Sequence, residues 1–249
     1  MESKHVLISK VITSLLLCVG IVWGSYYLGK GVENKGRPEG SIAVKGLGSQ
    51  DFTADLIVLE GYFSVENDDL QLGFSESSRQ KDEFEMFLID LGIPSSAITF
   101  QAATYSQLDR SLYNDTGKFI GYEPYYRLTQ DFEIRSNDVA SVEKASRKIS
   151  DVLDKGILIN MYSPRYYYTR LADLKHEMIN KATEDARQRA EIIAEQSGGS
   201  LGELRDARMG VFQITGQYSD EDYSWGGSFN TADKEKTASI TINLTYGSN

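Results

Sequence analysis

From Val11 to Gly29 the chain carries no charged residue: VITSLLLCVGIVWGSYYLG. That length approaches the roughly 20 residues a helix needs to cross a bilayer core. Its apolar residues run all round a helical projection rather than along one stripe, unlike a helix of a soluble core. Lys4, His5 and Lys10 precede the run and Lys30 follows it. Trp23, Tyr26 and Tyr27 lie toward its far end, where an aromatic belt belongs. A cleaved signal peptide ends in an A-x-A-like pattern, of which Gly24-Ser25-Tyr26 is a poor version. A lipoprotein site needs a small residue before the cysteine, but Leu17 precedes Cys18. A retained signal anchor over residues 1–30 fits best, crossing the membrane through 11–29. The amino terminus with Lys4 and Lys10 favours an inside amino end and an exported body. Residues 31–40 (GVENKGRPEG) read as a flexible linker.

The net charge is −10. Because the first 37 residues hold five basic against two acidic side chains, the acidity belongs to the rest. An acidic body argues against nucleic acid, which needs a basic face. Cys18 is the single cysteine, so one chain can form neither a disulfide framework nor a cysteine zinc site.

Beyond the linker the hydrophobic period alternates between that of strands and that of helices. Strands are expected over 41–50, 52–63, 97–107, 122–134, 157–168, 201–216 and 236–246. Phe84, Phe87, Leu88 and Leu91 form the stripe of a first helix closed by Gly92 and Pro94. Asn114, Asp115 and Gly117 make a hairpin turn. Asn137 reads as the N-cap of a second helix carrying Val139, Val142, Ile149, Val152 and Leu153, closed by Gly156. Pro164 interrupts the next strand region, as at an edge or bulge. The strongest helix spans 169–197, with Leu171, Leu174, Met178, Ala182, Ala186, Ala190 and Ile193 on its buried face and Gly198-Gly199 at its end. Residues 217–233 (QYSDEDYSWGGSFNTAD) read as a long exposed loop. The order β-β-α-β-β-α-β-α-β-β implies an α+β fold: an antiparallel sheet covered by helices, with a duplicated β-α-β-β unit as one option.

Several motifs suggest chemistry, and each has a plainer reading. Gly198-Gly199-Ser200-Leu201-Gly202 matches G-x-S-x-G, but a nucleophile elbow runs strand to helix and here the order is reversed. A triad also needs a histidine. Only His5 and His176 exist, too few for a zinc site unaided. Asp220, Glu221 and Asp222 lack EF-hand spacing. Gly46-Leu47-Gly48 lacks the third glycine and the helix of a dinucleotide motif. Tyr166, Tyr167 and Tyr168 could stack sugars, or simply alternate across a strand. Asp185, Arg187, Arg189 and Glu191 crowd the long helix as i, i+4 pairs or as a self-association surface. No catalytic, metal or cofactor-binding residue is nominated.

The segment SPRYYYTRLADLKHEM (163–178), the helix ATEDARQRAEIIAEQSGGSLGEL (182–204) and Ile120-Gly121-Tyr122 resemble the SIMPL domain family. The opening VKGLGSQDFTADLIVL resembles its first two strands, with Thr53-Ala54 where the family often has Pro-Asp. The resemblance covers about 41–246 and assigns 41–249 to a SIMPL domain. It implies an exported bacterial protein at the periplasm or envelope. It also implies relatives of varied role: one a ring-like or channel-like oligomer, one linked to oxidative stress, and an animal member that binds a signalling kinase. It brings no shared catalytic residues. The expectation is a non-enzymatic, inner-membrane, single-pass protein with a periplasmic domain that forms homo-oligomers, in assembly or stress tolerance. The alternative is a small-ligand or signalling ectodomain using the Tyr-rich strands and the 217–233 loop.

Overall fold

The computed structural model describes residues 15–30, 40–154, 156–222 and 224–248. Residues 15–30 form helix α1, exposed along its length. The start of the uncharged run, 11–14, and nearly all of the linker lie outside the described residues. Among the described residues, no helix is long and apolar enough to cross a membrane.

The remaining elements are β1 (Ser41–Thr53), β2 (Leu56–Asn67), α2 (Leu70–Asp90), β3 (Ile98–Phe100), β4 (Thr104–Tyr113), β5 (Phe119–Ser136), α3 (Val139–Arg147), α4 (Ser150–Leu153), β6 (Ile159–Met161), β7 (Arg165–Tyr167), α5 (Leu171–Gln196), β8 (Leu201–Met209), β9 (Gln213–Gly216) and β10 (Glu235–Ser248). The class is mixed, with antiparallel pairings and helices. The strands form two sheets, where the sequence suggested one. Strands β1 and β2, adjacent in sequence, fall in different sheets. The chain groups into two compact units, one of 45–186 with 209–242, the other of residues up to 44 with 187–208 and 243 onward.

In the larger unit, six strands follow the order β3-β5-β2-β6, with β4 continuing beside β5 and β7 beside β2. Strand β5 lies antiparallel to β2 from Ser136 opposite Ile57 to Tyr126 opposite Asn67. With α2 after β2 and α3–α4 after β5, this is the split β-α-β-β-α-β arrangement of ferredoxin-like folds. Alternation decides which face is inside. Ile57, Leu59 and Phe63 of β2 and Phe132 and Ile134 of β5 point to one side, where Phe84, Leu88, Val142 and Val152 of the helices meet them. The Phe84 and Phe132 rings lie 4.8 Å apart. Burying each such side chain is worth about 1.5–3 kcal/mol.

Local chemistry sets the element ends. Asp69 caps α2, its carboxylate accepting from the backbone N–H of Gln71 at 2.8 Å and of Leu72 at 3.0 Å. Gly92 ends that helix at φ +93°, and the Ile93 N–H returns to the Leu88 carbonyl at 3.0 Å. The second helix departs from expectation in two ways. Its N-cap is Asp138, which accepts from the Ser141 N–H at 3.1 Å, while Asn137 donates to the Asp55 carbonyl at 2.7 Å. It also breaks at Lys148 into α3 and α4. Strand 157–168 divides around Pro164 into β6 and β7, both paired to the outer side of β2.

The other sheet has the order β1-β10-β8, with β9 beside β10. The strand expected over 201–216 divides between β8 and β9, with Gly210 still donating to the Thr241 carbonyl at 2.8 Å. Ala238, Ile240, Ile242, Leu244 and Tyr246 of β10 are buried, as their alternation predicts. Helix α5 buries Leu174, Met178, Ala182, Ala186, Ala190 and Ala194. In the larger unit Gly46 and Gly48 of β1 lie under this helix, so close that a Cβ added to either would overlap the Ala182 or Met178 carbonyl. Asp185 accepts the Leu47 N–H at 2.8 Å, closing part of the strand edge. In the smaller unit Gly198 ends α5 at φ +79°, and Gly199 donates to the Ala194 carbonyl at 3.0 Å.

Candidate functional site

Three places in the larger unit stand out. The first is a ribbon. Beyond the core, β4 and the start of β5 continue as two strands with both faces in solvent: in β4 only Leu108 and Leu112 are even half-buried. Strand β4 pairs with β5 and with no other described strand, so its outer edge carries unpaired N–H and C=O groups. The turn is built by Asn114, whose side-chain oxygen accepts from the backbone N–H of Thr116 at 3.1 Å and of Lys118 at 2.9 Å. Gly117 supplies the left-handed residue. At the tip sit exposed Tyr113, Phe119, Ile120 and Tyr122. Phe119 meets Tyr113 at 6.0 Å and Tyr122 at 5.0 Å, both edge to face. Arg110 stacks on Tyr125 at 5.0 Å and pairs with Asp68 and Glu123.

The second is the face of β2 and β5 turned away from α2 and α3. It holds a cleft of about 590 Å³ whose walls include Tyr62, Tyr162, Asn160 and Asp131. Arg127 and Glu66 form a 2.7 Å ion pair there, half exposed on both sides. Such a pair is worth little in stability.

The third is the 217–233 loop, which is folded rather than simply exposed. Gln213 holds it from β9. Its amide oxygen accepts from the Ser228 N–H and hydroxyl, each at 2.7 Å, and its amide nitrogen donates to the Ser224 carbonyl at 2.8 Å. Asn230 forms the base. Its amide nitrogen donates to Glu221 at 2.6 Å and Asp233 at 2.9 Å, and its amide oxygen accepts from the Asp233 N–H at 2.9 Å. Lys236 of β10, only 2% exposed, turns its ammonium onto the Asn230 main-chain carbonyl at 2.5 Å and side-chain oxygen at 3.2 Å. Burial pushes this amine below the ordinary lysine range, with Asp233 and Glu221 pulling the other way. Beside the loop, Leu47, Val211, Ile240 and Trp225 border a groove of about 620 Å³, with Trp225 99% exposed.

The residues singled out by sequence scatter. Ser200 follows the C-cap of α5 and leads into β8, the reverse of an elbow. His176 is exposed on α5, and His5 lies outside the described residues. Gly46 and Gly48 are mid-strand glycines under a helix. Glu221 turns inward to the Gly216 N–H and Asn230, leaving Asp220 and Asp222 in solvent, so the acidic triplet does not converge. Tyr166 donates to Glu143 at 3.1 Å, and Tyr168 packs on Phe52 with ring centroids 4.9 Å apart. The 166–168 tyrosines therefore form no shared platform. Asp185 faces Leu47, while Arg187 pairs with Glu191 at 2.9 Å on the surface. Gln213, Asn230 and Lys236 are new. Their one sequence signal is a lysine at a position that continues the buried alternation of β10.

A family model described as SIMPL, protein of unknown function (DUF541), matches residues 42–246. No curated protein matches the chain. Among solved structures, the de novo designed protein Foldit4 is 13% identical, aligned over 43% of this chain and 93% of its own, with a TM-score of 0.21. A crystal structure from Burkholderia cenocepacia, named for an amidohydrolase/peptidase, is 14% identical over 48% of this chain and 28% of its own, with a TM-score of 0.20. At those scores neither likeness bears on fold or function.

Proposed function

This chain belongs to the SIMPL family of proteins of unknown function, and from that premise we propose that it is a membrane-anchored, exported, non-enzymatic module that self-associates in the cell envelope. The carrying observation is the β4–β5 ribbon. Isolated two-stranded ribbons are marginal in water, and long exposed strand edges are pairing sites that monomeric proteins usually blunt. Here the edge is ten residues long and ends in four exposed apolar or aromatic side chains. A second copy is the occupant that supplies the same edge and the same tip.

The uncharged run supports the anchor, with its basic residues before and aromatic residues near its end, giving an inner-membrane, single-pass protein with a periplasmic domain. The acidic body supports an aqueous compartment rather than contact with anionic lipid. The family resemblance suggests a role in assembly or stress tolerance.

Crosslinking in intact membranes tests this reading. In a Cys18→Ser background, Tyr113→Cys on the full chain should give oxidised dimers, with external protease reaching the domain only after the outer barrier is opened. Monomers alone would remove the self-association reading. The second reading, ligand capture, is favoured by the cleft that Tyr62 and Tyr162 line together with Asp131 and Asn160. A small polar ligand protecting Tyr162 from modification would support it.

A further inference from the structure

We propose that Lys236 and Asn230 become joined by an intramolecular isopeptide bond, the lysine amine displacing ammonia from the asparagine side-chain amide. The inference is independent of self-association, since it concerns only the base of the 217–233 loop.

Nucleophile, electrophile, a donor to the oxyanion and two carboxylates on the departing nitrogen lie together there. The nucleophile is Lys236, held by the Asn230 main-chain carbonyl at 2.5 Å with its amine 3.2 Å from the side-chain oxygen. The amide carbon bonded to that oxygen is the electrophile, so nucleophile and target are already in proximity. Both residues are buried, Lys236 at 2% and Asn230 at 9% exposure. Burial disfavours the ammonium form and so favours the neutral amine that attacks. Negative charge would develop on the Asn230 side-chain oxygen, and the Asp233 N–H already donates to that atom at 2.9 Å. A fixed main-chain donor aimed at a developing oxyanion is the usual stabilising device in acyl transfer. The departing nitrogen is Nδ2, which contacts the Glu221 carboxylate at 2.6 Å and the Asp233 carboxylate at 2.9 Å. These carboxylates are the proton carriers.

The step balances without an oxidant. The ammonium, whose hydrogen bonds here run to Asn230, turns toward Glu221 or Asp233 and gives one proton to that carboxylate, and the neutral amine attacks the amide carbon. A bond forms between Lys236 Nζ and Asn230 Cγ. The second ammonium proton passes to the other carboxylate as the tetrahedral centre collapses. The first carboxylic acid hands its proton to Nδ2, the Cγ–Nδ2 bond breaks, and ammonia leaves. The third proton stays on the new amide, and the remaining carboxylic acid loses its proton to water. The product is a covalent tie under the loop that carries Trp225.

Intact mass spectrometry of the purified full chain tests this. The expected chain is lighter than its sequence by one ammonia, with trypsin unable to cut after Lys236 and a branched peptide linking positions 230 and 236. A succinimide at Asn230 would also cost one ammonia, so Lys236→Arg separates the two. With the isopeptide bond, Lys236→Arg restores the full mass, and Glu221→Gln restores it wholly or in part. A wild-type chain of full sequence mass, or an ammonia loss that persists in Lys236→Arg, would overturn the proposal.

Discussion

Gly46 on β1 lies directly beneath Ala182 on α5, so close that a methyl group on the glycine would overlap the alanine carbonyl oxygen and crowd Ala186. Gly48 stands in the same relation to Met178 one helical turn earlier. The glycines of the strand and the alanines of the helix are two halves of one contact. It brings backbone to backbone and leaves no room for a side chain on the strand.

Gly46→Ala and Gly48→Ala should each therefore destabilise the fold, by about 1–3 kcal/mol or more, because helix or strand must move. Thermal unfolding followed by circular dichroism reads the loss. Ala182→Gly leaves the contact open and should cost only about 1 kcal/mol of helix propensity.

Helix capping gives a second test. Asp138→Ala removes the carboxylate that holds the Ser141 N–H, and should cost about 1 kcal/mol in denaturant unfolding. Asn137→Asp should not compensate, since residue 137 faces the Asp55 carbonyl instead.

Acid titration gives a third. Hydrogen bonds from Arg79 and Gln80 hold the Glu76 carboxyl down to about 2 from an ordinary 4.5. Its folded value lies below its unfolded one, so its contribution is present above about 4.5 and fades as pH falls toward about 2. The group is solvent-screened and its share of stability is small. Residue-resolved NMR should find Glu76 among the most acidic carboxyls of the chain, and Arg79→Ala should return it toward the ordinary range.

The ribbon tip gives a fourth. Tyr113→Ser, Phe119→Ser and Tyr122→Ser together replace exposed rings, so the monomer's stability should change little, each site within about 0.5 kcal/mol. Self-association should weaken sharply, read as the concentration at which a purified, detergent-solubilised chain dissociates.

What the sequence disclosed follows from where periodicity operates. The stripe of Phe84, Phe87 and Leu88 and the alternation along β10 are imposed by one-sided burial, so they mark their elements directly. Gly92 and Gly198 disclose helix ends because their left-handed backbone excludes most other residues. Gly46 and Gly48 read only as an incomplete dinucleotide motif within a strand, because their reason lies on a helix far along the chain, at Ala182 and Met178. The division into two sheets was hidden for a related cause: alternation shows which residues are buried, not which strand lies alongside. Gln213 and Asn230 were hidden because polar residues in a polar stretch carry no period, and although Lys236 continues the alternation of β10, only the fold shows that it meets Asn230 while Gln213 holds Ser224 and Ser228. The exposed ribbon resembles an ordinary hairpin in sequence, since nothing local reveals that its two faces stay uncovered.

Self-association is tested most directly by the absolute mass of the full chain in mild detergent, by light scattering with the detergent contribution subtracted. A discrete assembly of several copies is expected, falling to the monomer when Tyr113, Phe119 and Tyr122 are replaced by serine. A wild-type chain that is monomeric across the accessible concentration range would contradict it.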